Sequence, residues 1–315
     1  MCGIAGIFNL NGEPVSVVNL RRMTDSIVHR GPDGEGFFVD SYIGLGHRRL
    51  AIIDLSPAGH QPMQTVDGRY VLSYNGEVYN YQELRLELEA LGYTFRSRTD
   101  SEVVLYALAE WGEKALDRFN GMFAFAFYDK EEHTLLLARD RYGIKPLYFT
   151  QLGDKLLFGS EIKAIVTHPT FKTEVDKEGL LEYFTFQNFF TGRTLFEGVQ
   201  MLPAGHWMRI QLGQQTDLNP VQYWDYLFQE PEQVCDETEY AEELDRLFRQ
   251  AVNRQLVSDV DVGAYLSGGM DSGSITAVAA MQLPYMRTFT CGFDLNSASG
   301  LELGFDEREK AEFMS

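Results

Sequence analysis

Hydrophobic and polar positions change their rhythm twice along this 315-residue chain. From residue 1 to about 210 the pattern is one of short apolar or alternating runs, each close to Gly, Asn or Asp. CGIAGIFNL, YIGLGHRRLAII, RYVLSYNG, GMFAFAFYD, TLLLARD and KLLFGS all read as strands. Two segments between them carry helical spacing. Leu84, Leu88 and Leu91 predict a helix over Tyr79 to Leu91 with Gly92 as its C-terminal cap. Val104, Leu105, Leu108 and Trp111 predict a second over Ser101 to Trp111. Strands in succession with segregated helices predict an α+β layered domain over residues 1–210.

Residues 211–236 lose periodicity, turn polar and contain Pro220 and Pro231, which reads as a linker. Beyond it, over residues 237–315, Tyr240, Leu244, Leu247, Phe248 and Ala251 mark an amphipathic helix, with Asp236 or Thr238 as its cap. DVGAYL, the glycine turn SGGMDS, the small-residue helix SGSITAVAAM and RTFTCGF then give strand, loop, helix and strand. That order opens a parallel nucleotide-binding α/β sheet, and a single such unit is expected to be an incomplete domain.

Composition narrows the partners. Forty-six acidic residues against 27 basic ones argue against binding nucleic acid or an anionic membrane surface through bulk charge. A phosphate ligand stays open, because backbone N–H groups bind phosphate without a basic surface. Cys2, Cys235 and Cys291 are too few and too scattered for a disulfide framework or a CxxC site. With no basic leader and no apolar run of spanning length, the expected location is the cytoplasm.

Cys2 is the most informative single residue. Loss of Met1 would leave a terminal cysteine, whose thiol is a nucleophile and whose free α-amine, near pKa 7.7–8.0 in its reference state, can shuttle a proton at neutral pH. Taken alone, Cys2 reads more readily as a buried apolar residue opening an edge strand.

The surrounding motifs change that balance. MCGIAGIF, HRGPDG, GHRRLAIIDLS with GHQPM, YNGEVYNY, RTDSEVVL, FNGMFAFAFYD and RDRYGIKPLYF follow one another as they do in class II glutamine amidotransferases, the N-terminal-nucleophile (Ntn) group. Their order and spacing resemble the glutaminase domain of glutamine-hydrolysing asparagine synthetases. The resemblance implies a four-layer αββα Ntn-hydrolase domain followed by a partial α/β ATP-pyrophosphatase domain.

Residue by residue, it implies Cys2 as nucleophile on the glutamine side-chain amide. Asn75 and Gly76 would supply the oxyanion hole, although NGE alone reads as a tight hairpin turn. Arg49 would hold the α-carboxylate, with Arg48 pointing to the opposite face of the strand. Asp100 would hold the α-ammonium with Glu77 nearby, and would also cap the helix that follows. Leu50, Ile52 and Ile53 would complete the glutamine pocket. HRGPDG and RDRYGIKPLY read as structural loops, with Arg30 lining the pocket.

SGGMDS resembles the pyrophosphate loop of ATP pyrophosphatases, and no GK[ST] follows to make a Walker A loop. By that resemblance Ser267, Gly268, Gly269, Asp271 and Ser272 hold the ATP phosphates with Mg²⁺ alongside, while Leu266 and Cys291 border the adenosine. The resemblance implies glutamine, aspartate and ATP as substrates, and a homodimer or a separate downstream synthetase half as protein partner. The chain alone is expected not to complete asparagine synthesis. The alternatives are another carboxylate-amidating amidotransferase or a non-catalytic paralogue.

Overall fold

The computed structural model describes residues 1–213, 218–230, 236–294, 300 and 304–314. Cys235 and part of the expected linker lie outside them. The chain divides into two compact units, Met1–Leu227 and Phe228–Ser315, each taken here by itself.

The first unit is built on two six-stranded antiparallel sheets. Its elements in chain order are β1 (Gly3–Asn9), α1 (Val17–Asp25), β2 (Gly34–Asp40), β3 (Ile43–Arg49), β4 (Met63–Gln64), β5 (Tyr70–Val78), α2 (Tyr81–Ala90), α3 (Asp100–Trp111) and α4 (Ala115–Arg118). They continue with β6 (Gly121–Asp129), β7 (Thr134–Arg139), β8 (Tyr148–Leu152), β9 (Lys155–Gly159), α5 (Ile162–Val166), α6 (Lys177–Phe186), β10 (Gln200–Met201), β11 (His206–Gln211) and β12 (Val221–Gln222). One sheet runs β10-β8-β9-β1-β3-β2 and the other β12-β11-β7-β6-β5-β4.

The two-residue period of each strand sorts its side chains between two cores. Ile4 and Phe8 of β1, Ile43 and Leu45 of β3, Val71 of β5 and Ala124, Ala126 and Tyr128 of β6 meet between the sheets. Ala5 and Ile7, one step out of phase, pack instead with Leu20 and Met23 of α1 and Ile165 of α5. Leu72 and Tyr74 of β5 and Phe123 and Phe125 of β6 pack against α2 and α3. Gly46 lets α1 close on its sheet, since a Cβ there would stand 2.1 Å from Thr24 Oγ1.

Several expectations need correction. The first helix covers Tyr81–Ala90; Leu84 and Leu88 are buried, but Leu91 follows the helix and is exposed. Gly92 does take a left-handed φ of 100° just beyond that end. The next helix begins at Asp100, and its cap is Thr99, whose hydroxyl accepts from Glu102 N at 3.2 Å. Nine consecutive residues, Asp100 to Leu108, are buried, so this helix is enclosed around most of its surface rather than along one stripe. Within the expected 211–236 linker, β12 pairs with His206 and Trp207 of β11, and the first unit extends to Leu227.

The second unit comprises α7 (Glu237–Gln255), β13 (Gly263–Tyr265), α8 (Met270–Ala280), β14 (Arg287–Phe289) and α9 (Arg308–Met314). Asp236 caps α7 by accepting from Glu239 N at 3.0 Å. Phe248 and Val252 of α7 pack on Val278 and Ala279 of α8, whereas Tyr240, Leu244 and Leu247 of the expected apolar face are exposed. β13 and β14 pair in parallel across α8.

Candidate active site

The residue rows that fill the space between the sheets end in polar groups at one edge of the sandwich. Phe8, Ile4 and Cys2 lie on one alternation, Ile43, Leu45 and Arg49 on another, and Val71, Asn75 and Glu77 on a third. These ends open on a cavity of about 160 Å³. Cys2, Arg49, Leu50, Ile52, Ile53, Asn75, Gly76, Glu77 and Asp100, all anticipated from the sequence for the first site, line it together.

Cys2 Sγ lies between the backbone groups of Leu50, accepting from its N–H at 3.3 Å and facing its carbonyl at 3.5 Å. Burial pushes the thiol pKa up, against the Leu50 N–H bond and the nearby N-terminal charge, which favour the thiolate. A resting thiol with a base beside it therefore fits this pocket better than a standing thiolate.

Asn75 is 1% exposed, and its Nδ2 has no hydrogen-bond partner among the described residues. A buried amide donor left unpaired costs about 1–3 kcal/mol, so it calls for a functional account. Asn75, Gly76 and Glu77 are not in a turn: they lie inside β5, opposite Ala124, Phe123 and Met122 of β6. Glycine is required at 76 because a Cβ there would meet the Met122 carbonyl at 2.5 Å. The close approach is thus to the neighbouring strand.

Arg49 and Arg48 diverge as strand alternation dictates. Arg48 turns to α1 and β2, donating to Thr24 O at 3.3 Å and pairing with Glu35 at 2.9 Å and with Asp25. Arg49 donates to the carbonyls of Ser56 at 2.9 Å and Asp54 at 2.5 Å. Those bonds use two of its five N–H groups and fix the plane of the fork at the cavity wall. Gly59 leaves room for it, since a Cβ there would fall 2.1 Å from Nη2.

Asp100 is 5% exposed and accepts from Tyr74 O–H at 2.8 Å and Val78 N–H at 3.0 Å. Burial raises its pKa, partly offset by those two bonds. Glu77 is raised too, first by burial and then by Asp100, while Lys145 pulls it back. Two carboxylates and a guanidinium lining one cavity match the two charged groups of a free α-amino acid.

Sequence reasoning missed several contributors. Tyr74, Gln61, Thr99, Ser101, Met122 and Lys145 also line the cavity. Glu102 fixes the loop before α3, accepting from Arg96 N and Ser97 N at 3.0 and 2.7 Å. Its signal was legible, because Thr99 and Glu102 stand at capping-box spacing. Arg30 does not line the cavity: its Nε donates to Cys2 O at 2.9 Å and its Nη1 pairs with Glu161 at 3.0 Å. It therefore positions the Cys2 backbone. In RDRYGIKPLY the buried Asp140 carboxylate gathers the N–H groups of Phe123, Tyr142, Ile144 and Lys145, within 2.9–3.1 Å. That turn delivers Lys145 to the cavity.

In the second unit, Ser267, Gly268 and Gly269 form the link from β13 to α8, and Asp271 and Ser272 stand in the first turn of α8. Gly268 has φ 73°, and Gly269 begins the helix without a side-chain cap. Ser272 Oγ accepts from Ser267 N at 3.2 Å. Leu266 N–H donates to Phe289 O at 2.9 Å, which brings the ends of the two parallel strands, and the Cys291 that follows, to the edge where the loop begins. Leu266 is buried and Cys291 is exposed.

Comparison with known proteins accords with this division. Residues 1–224 match the family described as glutamine amidotransferase domain, and residues 243–315 match asparagine synthase. The chain is 41% identical over 284 residues to asparagine synthetase [glutamine-hydrolyzing] 3 of Bacillus subtilis, covering 89% of this chain and 45% of that protein. It is 39% identical over 306 residues to asparagine synthetase [glutamine-hydrolyzing] 1 of the same organism, covering 96% and 48%. The chain thus spans about half the length of these relatives. Among solved structures, the glutamine phosphoribosylpyrophosphate amidotransferase from B. subtilis, complexed with ADP and GMP, overlays with a TM-score of 0.52 at 18% identity, over 92% of this chain and 65% of that one, a likeness of fold alone. The chain belongs to the glutamine amidotransferase domain family, and its residues 243–315 match the asparagine synthase family.

Proposed function

We propose that the first unit is an Ntn-type glutaminase of αββα layering that releases ammonia from glutamine at Cys2. The observation that carries this reading is the unpartnered, buried Asn75 amide beside Cys2 in one cavity. In the proposed reaction, removal of Met1 frees the α-amine of Cys2. Cys2 Sγ attacks the side-chain amide carbon of glutamine and its proton passes to that amine. Asn75 Nδ2 and Gly76 N–H receive the charge that develops on the amide oxygen. Collapse breaks the C–N bond, and the amine returns its proton to the leaving nitrogen, giving ammonia and a γ-glutamyl thioester. Water, deprotonated by the same amine, releases glutamate and restores the thiol. Arg49 holds the α-carboxylate and Asp100, with Glu77, the α-ammonium; Leu50, Ile52 and Ile53 enclose the methylenes.

For the second unit we propose an ATP site at Ser267, Gly268, Gly269, Asp271 and Ser272, bordered by Leu266 and Cys291. The start of α8, which no side chain caps, supports it, because a helix N-terminus suits a pyrophosphate. Mg²⁺ entering with the nucleotide keeps most of its ligands from phosphate and water, and Asp271 is the loop carboxylate that would reach it. Among the described residues no group of three His, Cys, Asp or Glu side chains could hold a metal by itself. The reaction class implied by the relatives is ATP-dependent amidation of the aspartate β-carboxylate, with a homodimer or a downstream synthetase half as the partner.

The test is glutamate release from glutamine by the full chain and by Cys2→Ala. Loss of release in the variant supports the reading; equal rates overturn it.

A further inference from the structure

Lys145 is a buried lysine that the glutaminase reading leaves without a role. It is 4% exposed and lines the cavity with Cys2 and Glu77. Its ammonium donates to Met1 Sδ at 3.1 Å, a weak acceptor for a buried charge. Its backbone is clamped on both sides: Lys145 N donates to Asp140 Oδ2 at 2.9 Å, and Lys145 O accepts from Arg139 Nε at 2.8 Å. A cation is therefore fixed against a residue that the proposed maturation removes. Lys145 and Cys2 line the same cavity, so loss of Met1 would open the new terminus, the α-amine of Cys2, in the cavity that holds this ammonium.

We propose that Lys145 is a positioning residue for the N-terminal amine, keeping it neutral by like-charge repulsion so that it can take the Cys2 proton. This rests on the glutaminase reading and names a residue that the reading does not use. The other charged groups facing this corner come from five places: Arg30 from the turn after α1, Arg49 from β3, Glu77 from β5, Asp100 from α3 and Asp140 from the loop after β7. Arg30 is already paired with Glu161 and bonded to Cys2 O, and Arg49 is held by two carbonyls. Lys145 is the cation whose hydrogen-bond acceptor departs with Met1, leaving Glu77 as its largest opposite charge. In the chain that retains Met1, burial first and then Arg30 and Lys145 hold the amine below its ordinary range, against the opposite pull of Cys2 and Glu77.

The sign follows from the base's role. Removing a neighbouring cation makes the amine more basic, so more of it is protonated and idle at low pH. For Lys145→Met the expected result is a loss of about tenfold in kcat/KM near pH 6.5 that closes to within about twofold by pH 9, with KM little changed. Lys145→Arg, which keeps the charge, restores the wild-type profile. A loss of equal size at every pH, or a Lys145→Met profile that matches wild type, overturns the proposal. Should Lys145→Met fail to fold, pH-dependent cyanate labelling of the N-terminus of wild type and Lys145→Gln, read by peptide mass spectrometry, decides. A midpoint that rises from wild type to Lys145→Gln supports the proposal, and one unchanged between them overturns it. Activity that survives Cys2→Ala would instead defeat the glutaminase reading itself, so the two failures are distinguishable.

Discussion

Replacing Asn75 by Ala separates the catalytic use of its side chain from its structural cost. The carboxamide is 1% exposed and its Nδ2 is unpartnered, so the resting fold carries a penalty of about 1–3 kcal/mol there. Truncation relieves that penalty while removing a few packed atoms, a loss of similar size for a partial side chain. The two nearly cancel. The melting temperature of Asn75→Ala is therefore expected within about 4 °C of wild type, since about 1 kcal/mol moves a unit of this size by roughly 2–4 °C. The transition state has no such compensation. Losing one donor aimed at the developing oxyanion costs about 10²–10³ in kcat, equivalent to about 3–4 kcal/mol. KM should change little, because the bond is strongest in the transition state. Steady-state glutamate release at several glutamine concentrations, with a thermal melt of the same sample, reads both quantities. A kcat within fivefold of wild type refutes the oxyanion assignment. So does a large stability loss that accounts for the lost rate.

Two further changes probe the pocket and the ion pair that positions the Cys2 backbone. Asp100→Asn removes the charge opposite the α-ammonium and turns an N–H₂ toward the donors of Tyr74 and Val78. It should raise KM for glutamine about 10–100-fold with a smaller effect on kcat; a KM within threefold in a folded variant contradicts the ammonium role. At Glu161, burial alone would raise the pKa, but bonds from Arg30, Lys163 and His29 outweigh it and bring it down to about 2. Its stabilisation is present above the unfolded value near 4.3 and is lost as pH falls toward 2. Thermal melts should accordingly show a gap between wild type and Glu161→Gln at pH 7 that narrows between about pH 4.5 and 2. A gap independent of pH would contradict that account.

Much of the first site was legible because strand alternation is a local property. Cys2, Arg49 and Asn75 each end a row of alternating core residues, so their direction followed once the strands were found. Arg48 and Arg49 were separated on the same ground. Asp100 was legible as a carboxylate near a helix start, but its neighbour Thr99 makes the cap. The choice turns on one residue of helix phase, which periodicity does not resolve. Leu91 misled because helical spacing runs on to the C-cap, where the side chain no longer meets the core. Lys145 was hidden and Arg30 misplaced as a pocket-lining residue for another reason: both come from irregular loops far from Cys2 in sequence, and only the buried Asp140 carboxylate and the Arg30–Glu161 pair direct them to it. In the second unit the loop was recognisable from its glycines, whereas the exposed Leu244 and Leu247 showed that an apolar stripe does not say what covers it.

The central claim is that Cys2, as the chain's terminus, forms a covalent bond with glutamine. Acid-quenched peptide mass spectrometry of the full chain during turnover tests it most directly. The account predicts an N-terminal peptide that begins at Cys2 and carries a γ-glutamyl group on its sulfur. Glutamate release by a chain that keeps Met1, or with the adduct on any other residue, would contradict it.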